Sequence, residues 1–359
     1  MHTIALVNIF QFVNYARFIQ LIVVTAFPIF FGCNSQKTYI NITGPAMGST
    51  YTIRLVPQRG IRVEPQQIKT NIDSLLDVLN QQMSTYVMNS EISLFNRMPV
   101  NSAILISEDF RTVVQRSIHW SNLTDGAFDI SAMPIVTTWK TGKADREDLN
   151  VWMPPTDLEV TIAKSKIGYQ KIKFVSKSLI KTYKDQQLDV NAIAKGWGVD
   201  KLFFYIQSLG YNNFMVEIGG EVRISGKNNR GRSWQIGIDL PEPNLQPGEK
   251  IYAVIPIQDK AMATSGNYRD FYVYNSKKYS HIINPITAMA VESNIASVTV
   301  LAENCMDADA LATALNIMSL DEGLELVESL KDVEALWIIN KENGFESVQS
   351  SKMKIVKNL

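Results

Sequence analysis

The chain has 359 residues, and 46% of its side chains are hydrophobic, which is enough for one large core or two closely packed lobes. Its 35 Lys and Arg residues balance its 35 Asp and Glu residues. Because the net charge is zero and no dense basic run is present, this composition disfavours both nucleic-acid binding and intrinsic disorder.

The N-terminus has the composition of a secretory signal. Up to residue 31 the only charged side chain is Arg17, and an apolar run over residues 18–31 follows it. The run ends at Phe30-Phe31-Gly32-Cys33, which resembles a bacterial lipobox, whose cysteine is lipidated. An uncleaved membrane anchor is the alternative. In either case we expect the folded part of the protein to lie on the periplasmic or external face of a bacterial membrane. The predicted segments are a signal peptide over 1–32, a tether over 33–46 that begins with a lipidated Cys33, and a folded domain over 47–359.

Periodic patterns of apolar residues predict the secondary structure of the rest of the chain. Helices and strands are partly segregated, which predicts an α+β fold with mixed or antiparallel sheets and packed helices. The predicted helices are Gln66–Asn80, Glu108–Asn122, Ala192–Leu209, Met306–Met318 and Glu322–Leu330. The predicted strands are Ser49–Val56, Phe214–Ile218, Trp234–Asp239, Tyr252–Ile257, Phe271–Tyr274, Ser297–Leu301 and Ala335–Ile339.

Asp309 and Thr313 are four residues apart in one predicted helix, so their oxygen atoms face the same way. A carboxylate and a hydroxyl so placed suit Mg²⁺, which takes oxygen ligands and retains waters. Alternatively, Asn304 or Asp307 caps this helix, Asp309 interacts with the helix dipole, and Thr313 bonds to a main-chain carbonyl. The spacing alone leaves both interpretations open.

Few other residues indicate chemistry by themselves. The chain has no Walker loop, no His-Glu-x-x-His and no Cys-x-x-Cys. His119 is on an amphipathic helix and is expected to be packed or solvated, whereas His281 ends a strand in a turn, where functional side chains are often displayed. Cys305 is the only cysteine after Cys33, which excludes a disulfide framework.

Eight segments occur in the order that is typical of one enzyme family, and with them the chain resembles the ApbE-like FAD:protein FMN transferases. The resemblance runs from Met47 to Met318. The segments are Met47-Gly48-Ser49-Thr50-Tyr51; Met83-Ser84-Thr85-Tyr86; Gly126-Ala127-Phe128-Asp129; Leu188-Asp189-Val190-Asn191-Ala192-Ile193-Ala194-Lys195-Gly196; Glu217-Ile218-Gly219-Gly220-Glu221; Ala263-Thr264-Ser265-Gly266-Asn267-Tyr268-Arg269; Ser280-His281-Ile282-Ile283-Asn284-Pro285; and Asp309-Ala310-Leu311-Ala312-Thr313-Ala314.

The resemblance implies a two-lobed single domain with flavin transferase activity. Such an enzyme cleaves FAD with Mg²⁺, passes the FMN moiety to a Thr or Ser hydroxyl of an acceptor protein through a phosphoester bond, and releases AMP. The implied acceptor is a protein such as a subunit of a membrane redox complex. By the same resemblance, Asp309, Thr313 and the carbonyl of Ala192 hold the cation, and His281 takes the proton of the acceptor hydroxyl.

The resemblance also assigns residues to FAD. Tyr86 is expected to stack on an aromatic ring of FAD, Asp129 and Asp189 to accept hydrogen bonds from it, and Lys195 to offset phosphate charge. The ordinary alternatives are that Tyr86 is a core residue, that Asp129 caps a helix and that Lys195 is a solvated charge on a helix. The full set is Met47, Tyr86, Ala127, Phe128, Asp129, Asp189, Lys195 and Ile282.

Two other functions remain open at the level of sequence. In an FAD pyrophosphatase, water replaces the acceptor hydroxyl, so free FMN and AMP result from the same residues. A non-catalytic flavin-binding lipoprotein would hold FAD without turnover. The presence of Asp309, Thr313 and His281 argues against the second of these functions.

Overall fold

The computed structural model describes residues 38–61, 64–142, 152–268 and 270–358, and these residues belong to one compact unit. The predicted signal peptide and the predicted lipidation site Cys33 lie outside the described residues. None of the helices in these ranges combines the length and the hydrophobicity of a membrane span.

The predicted helices and strands are all present, with ends that differ by a few residues. Among the described residues the helices are α1 (Pro65–Met83), α2 (Glu91–Arg97), α3 (Glu108–Leu123), α4 (Met133–Thr141), α5 (Asp157–Lys164), α6 (Asn191–Ser208), α7 (Cys305–Ile317) and α8 (Leu320–Ser329). The strands are β1 (Ile40–Ala46), β2 (Ser49–Leu55), β3 (Ala103–Leu105), β4 (Lys173–Val175), β5 (Ser178–Ile180), β6 (Phe214–Ile218), β7 (Glu221–Ser225), β8 (Trp234–Asp239), β9 (Ile251–Ile257), β10 (Ala261–Gly266), β11 (Phe271–Tyr274), β12 (Lys277–Ser280), β13 (Ile283–Asn284), β14 (Met289–Ala290), β15 (Ile295–Ala302), β16 (Glu334–Lys341), β17 (Gly344–Gln349) and β18 (Lys357–Asn358).

One eight-stranded antiparallel sheet forms the centre of the fold, in the order β1-β2-β6-β7-β10-β15-β16-β17. All eight residues of β15 are buried, and α7 packs against β15 and β10. The other strands form smaller antiparallel sheets. The predicted α+β class with antiparallel sheets and packed helices is confirmed.

Residues 40–46 belong to this sheet and not to a tether. β1 pairs with β2 in antiparallel register from Ile40 opposite Leu55 to Ala46 opposite Ser49. Ile42 and Ala46 are buried in the core. The boundary predicted at residue 47 is therefore too late, because the family motifs begin there while the burial of apolar side chains begins earlier.

Helices α6 and α7 cross at Gly196, and this contact positions the site. A Cβ atom built on Gly196 would lie 2.4 Å from the carbonyl oxygen of Cys305, so glycine allows the two backbones to approach closely. Asp200, one turn along α6, accepts hydrogen bonds from the N–H groups of Cys305 and Met306, both at 2.9 Å. The two contacts together fix the position of α7 against α6.

Candidate active site

A cavity of about 330 Å³ brings together most of the residues that the sequence predicts for the site. Helix α4 contributes apolar side chains to its wall, and the start of α6, the end of β10 and the middle of α7 meet there. A larger groove of about 730 Å³ elsewhere contains none of the predicted residues. The predicted residues that line the cavity are Ala127, Phe128, Asp129, Asp189, Ala192, His281, Ile282 and Thr313.

His281 is exposed in the cavity wall, directly after β12. Its Nδ1 lies 2.7 Å from the backbone carbonyl oxygen of Asp270, at the base of the β11–β12 hairpin. A carbonyl oxygen can only accept a hydrogen bond, so Nδ1 carries the proton in the neutral ring and Nε2 keeps a free electron pair. This is the tautomer that a general base requires.

Asp309 lies on α7 and is only 6% exposed. Its Oδ2 accepts a hydrogen bond of 2.9 Å from the N–H of Gly196 on α6. Burial raises the pKa of this carboxyl, while the Lys195 ammonium and the Gly196 N–H partly oppose the rise. The cap of α7 is Asn304, whose side chain accepts from the N–H of Asp307. The cap expected at Asn304 as one alternative is therefore present, and it does not involve the Asp309 carboxylate.

The donor groups on α7 and at the start of α6 are of the kinds that a hard cation such as Mg²⁺ prefers. Thr313, one turn further along α7, lines the cavity, and its hydroxyl makes no hydrogen bond to another described residue. The carbonyl of Ala192 is the regular helical acceptor for the N–H of Gly196, and Asp309 competes for that donor. One carboxylate, one hydroxyl and one carbonyl match an ion that retains several waters. Within the described part of the chain, no group of three or more His, Cys, Asp or Glu residues is placed to bind a metal.

Asp129 and Asp189 stand in the cavity wall as hydrogen-bond acceptors. Asp129 accepts from the N–H and the hydroxyl of Ser131, at 2.7 and 2.6 Å, and so caps the short 3₁₀ helix over residues 130–132. Asp189 accepts from the N–H of Asn191 at 2.8 Å. Burial raises the pKa of both carboxyls, although these hydrogen bonds oppose the rise. The cap role expected as the alternative for Asp129 is present, and it leaves the carboxylate in the cavity lining.

The family model that matches the chain is that of the ApbE family, over residues 47–337. The chain belongs to the ApbE family. The FAD:protein FMN transferase of Vibrio cholerae is 37% identical over 323 residues, which cover 90% of this chain and 94% of that protein. The enzyme of the same name from Haemophilus influenzae is 35% identical over 332 residues, or 90% and 92% of the two chains. The solved structure of the flavin transferase ApbE from Vibrio cholerae superposes with a TM-score of 0.77 at 37% identity, covering 87% of this chain and 97% of that one.

The family membership confirms the resemblance, but three predicted flavin contacts, Tyr86, Met47 and Lys195, lie outside the cavity lining of this ApbE family chain. Tyr86 is 80% exposed, on the loop between α1 and α2. Ser90 and Ser93 brace this loop by donating hydrogen bonds to the carbonyl of Ser84, at 2.7 and 3.4 Å. Met47 is in the β1–β2 turn, packed against the core. All three residues stay predictions as contacts of FAD.

Lys195 also lies outside the cavity lining, in a partly buried ion pair that sequence reasoning missed. Its Nζ is 2.5 Å from Oε1 of Glu221 at the start of β7. Burial and repulsion from Asp309 raise the pKa of Glu221 to about 8, against the effect of Lys195. Burial disfavours the ammonium of Lys195, but Glu221 and Asp309 outweigh this and raise its pKa. The available signal was an acidic residue at the start of a buried strand, which is rare without a partner.

Proposed function

We propose that this chain is an FAD:protein FMN transferase, which moves the FMN moiety of FAD to a Thr or Ser hydroxyl of an acceptor protein and releases AMP. One observation carries the proposal: His281, with a free Nε2, lines the same cavity as Thr313 and Ala192, next to the buried Asp309. Membership of the ApbE family and the names of the relatives support it.

The reaction requires His281 to accept one proton. The acceptor hydroxyl oxygen forms a bond to the phosphorus of the FMN half, the bond from that phosphorus to the bridging oxygen breaks, and AMP leaves with the bridging oxygen. The hydroxyl proton passes to Nε2 of His281, whose ring is held by the carbonyl of Asp270. Transfer of this kind depends mainly on positioning and on charge neutralisation.

Asp309, Thr313 and the carbonyl of Ala192 would hold Mg²⁺, with Thr313 and Ala192 in the cavity lining and Asp309 buried outside it. When bound, the ion neutralises charge on the phosphate oxygens. Asp309 is held by the N–H of Gly196, and α6 and α7 are in close backbone contact where they cross, so the Asp309 carboxylate and the Ala192 carbonyl keep their positions without a ligand.

The cavity wall offers surfaces of two kinds for FAD. Phe128 and Ile282 supply apolar contacts, while Asp129 and Asp189 present carboxylate oxygens for hydroxyl or amide donors. Tyr86, which is exposed on its braced loop, would cover an aromatic ring of FAD that extends beyond the cavity.

We further propose that Cys33 is lipidated and anchors the enzyme on the periplasmic or external face of the membrane. The apolar run over 18–31 and the Gly32-Cys33 sequence support this location. The acceptor is then a protein exposed on the same side, such as a membrane redox subunit.

The test is incubation of the purified protein with FAD, Mg²⁺ and a candidate acceptor, followed by in-gel flavin fluorescence, mass spectrometry of the acceptor and measurement of AMP. A transferase yields labelled acceptor and AMP in equal amounts. Release of AMP and free FMN without any labelled acceptor would establish a pyrophosphatase instead. Stable FAD binding without AMP would indicate a non-catalytic flavin-binding protein.

A further inference from the structure

The cavity is acidic where FAD would add more negative charge. Its lining includes Asp129 and Asp189 but, among the described residues, neither lysine nor arginine. The pyrophosphate of FAD is a dianion at neutral pH. Because carboxylates repel such a group in a partly desolvated site, a cationic side chain close to the cavity would strengthen its binding beyond what a bound Mg²⁺ supplies.

Lys140 lies close to the lining of this cavity. Helix α4 brings Val136 into the lining, and Lys140 follows one turn later on the same face. The Nζ atom of Lys140 is 5.8 Å from the centre of the Tyr86 ring. Burial raises the pKa of Asp189, and hydrogen bonds from Asn191 together with the charge of Lys140 oppose this rise. The Lys140 ammonium is thus near both the exposed Tyr86 ring and the Asp189 carboxylate in the cavity wall.

Other lysines near the cavity have their charges engaged. The ammonium of Lys195 is paired with Glu221. The ammonium of Lys171 packs on the ring of Tyr183 at 4.4 Å and donates to a backbone carbonyl. Lys140 is exposed and makes no hydrogen bond or ion pair with another described residue. Its three donors are therefore not used by any described residue and can serve a ligand.

We infer that the ammonium of Lys140 binds the pyrophosphate of FAD close to the cavity lining. This inference rests on the proposed function, because it takes FAD as the ligand. The Tyr86 ring holds the ammonium near the cavity by a cation–π contact, so less side-chain freedom is lost on binding. A contact of this kind is exposed, and salt should screen it.

The test compares FAD with riboflavin, which has the same ring but no phosphate. The purified full chain in detergent is titrated with each ligand, in EDTA to prevent turnover, and flavin fluorescence is followed. Lys140→Gln keeps most of the side chain and removes the charge. We expect it to raise the Kd of FAD about fivefold at low salt and to leave the Kd of riboflavin unchanged. The difference between wild type and variant should shrink at high salt.

Lys171→Gln is the matched control, since it removes another lysine charge near the cavity but leaves Lys140 in place. It should bind both ligands as the wild type does. An unchanged FAD affinity in Lys140→Gln, an equal loss for riboflavin, or an equal loss in Lys171→Gln would overturn the inference while leaving the proposed function intact. A wild-type protein that binds no FAD would overturn both.

Discussion

Replacement of Gly196 by alanine tests the contact on which the site is built. The new Cβ atom would lie 2.4 Å from the carbonyl oxygen of Cys305, 2.7 Å from its carbonyl carbon and 2.8 Å from Cα of Met306. All three are backbone atoms, so no change of rotamer relieves the overlap. Ordinary contact begins at 3.4 Å, and α7 must therefore shift away from α6 by about 1 Å.

The expected cost follows from two opposing effects. Overpacking in a dense core costs about 1–3 kcal/mol, and this overlap involves only backbone, so we expect the upper end. Alanine has a higher helix propensity than glycine, and this stabilises the folded state by about 1 kcal/mol. Gly196→Ala should thus lower the free energy of unfolding by about 2 kcal/mol, and it should also weaken the response to Mg²⁺, because the shift separates Asp309 from its Gly196 donor.

Gly198→Ala is the control in the same helix. Its Cβ atom would meet Sδ of Met47 at 3.0 Å and Cδ1 of Ile218 at 3.2 Å, which are the ends of side chains that can turn aside. Urea unfolding of the two variants should show a large loss for Gly196→Ala and a change close to zero for Gly198→Ala. Equal free energies of unfolding in the two variants would refute the reasoning.

Three further predictions concern single residues. Asp309→Ala should abolish Mg²⁺-dependent turnover, and Thr313→Ala should reduce it less, because a carboxylate also compensates charge; near-normal turnover of Asp309→Ala at low Mg²⁺ would contradict the metal site. Burial raises the pKa of Glu221 from 4.5 to about 8, so its contribution to stability is complete below pH 4.5 and is lost as the pH rises to about 8. Urea titrations between these pH values should show a smaller fall in the free energy of unfolding for Glu221→Gln than for the wild type. Cys33→Ser should release the protein from the membrane fraction, and an unchanged distribution on immunoblots would argue against the anchor.

The sequence predicts long, strongly periodic elements well and short ones poorly. Helix α3 and strand β8 begin where the patterns predict, because apolar residues recur along each of them at a regular period. The three-residue strands β3, β4 and β5 carry too few residues for alternation to appear. Strand β1 was hidden by its Gly44-Pro45 pair, which is unusual in a strand and tolerated here at the edge of the sheet.

The residues of the cavity were accessible from sequence through the family motifs, but their surroundings were not. Asp309 and Thr313 stand out by helical spacing, whereas the partner of Asp309, Gly196, is remote in the chain. The same holds for Glu221 and Lys195, whose pairing depends on how β7 meets α6. Spacing indicates which side chains share a face, but only the tertiary fold determines which charges are already paired.

The central claim is that His281 takes the proton of an acceptor hydroxyl, and His281→Asn tests it most directly. Asparagine can still bond to the carbonyl of Asp270 but cannot accept the proton, so FAD binding should persist. The rate at which a flavin-fluorescent acceptor appears should fall about 10²–10⁴-fold, with AMP release falling in parallel. If His281→Asn labels the acceptor at the wild-type rate, His281 is a structural residue of the turn and the account of catalysis is wrong.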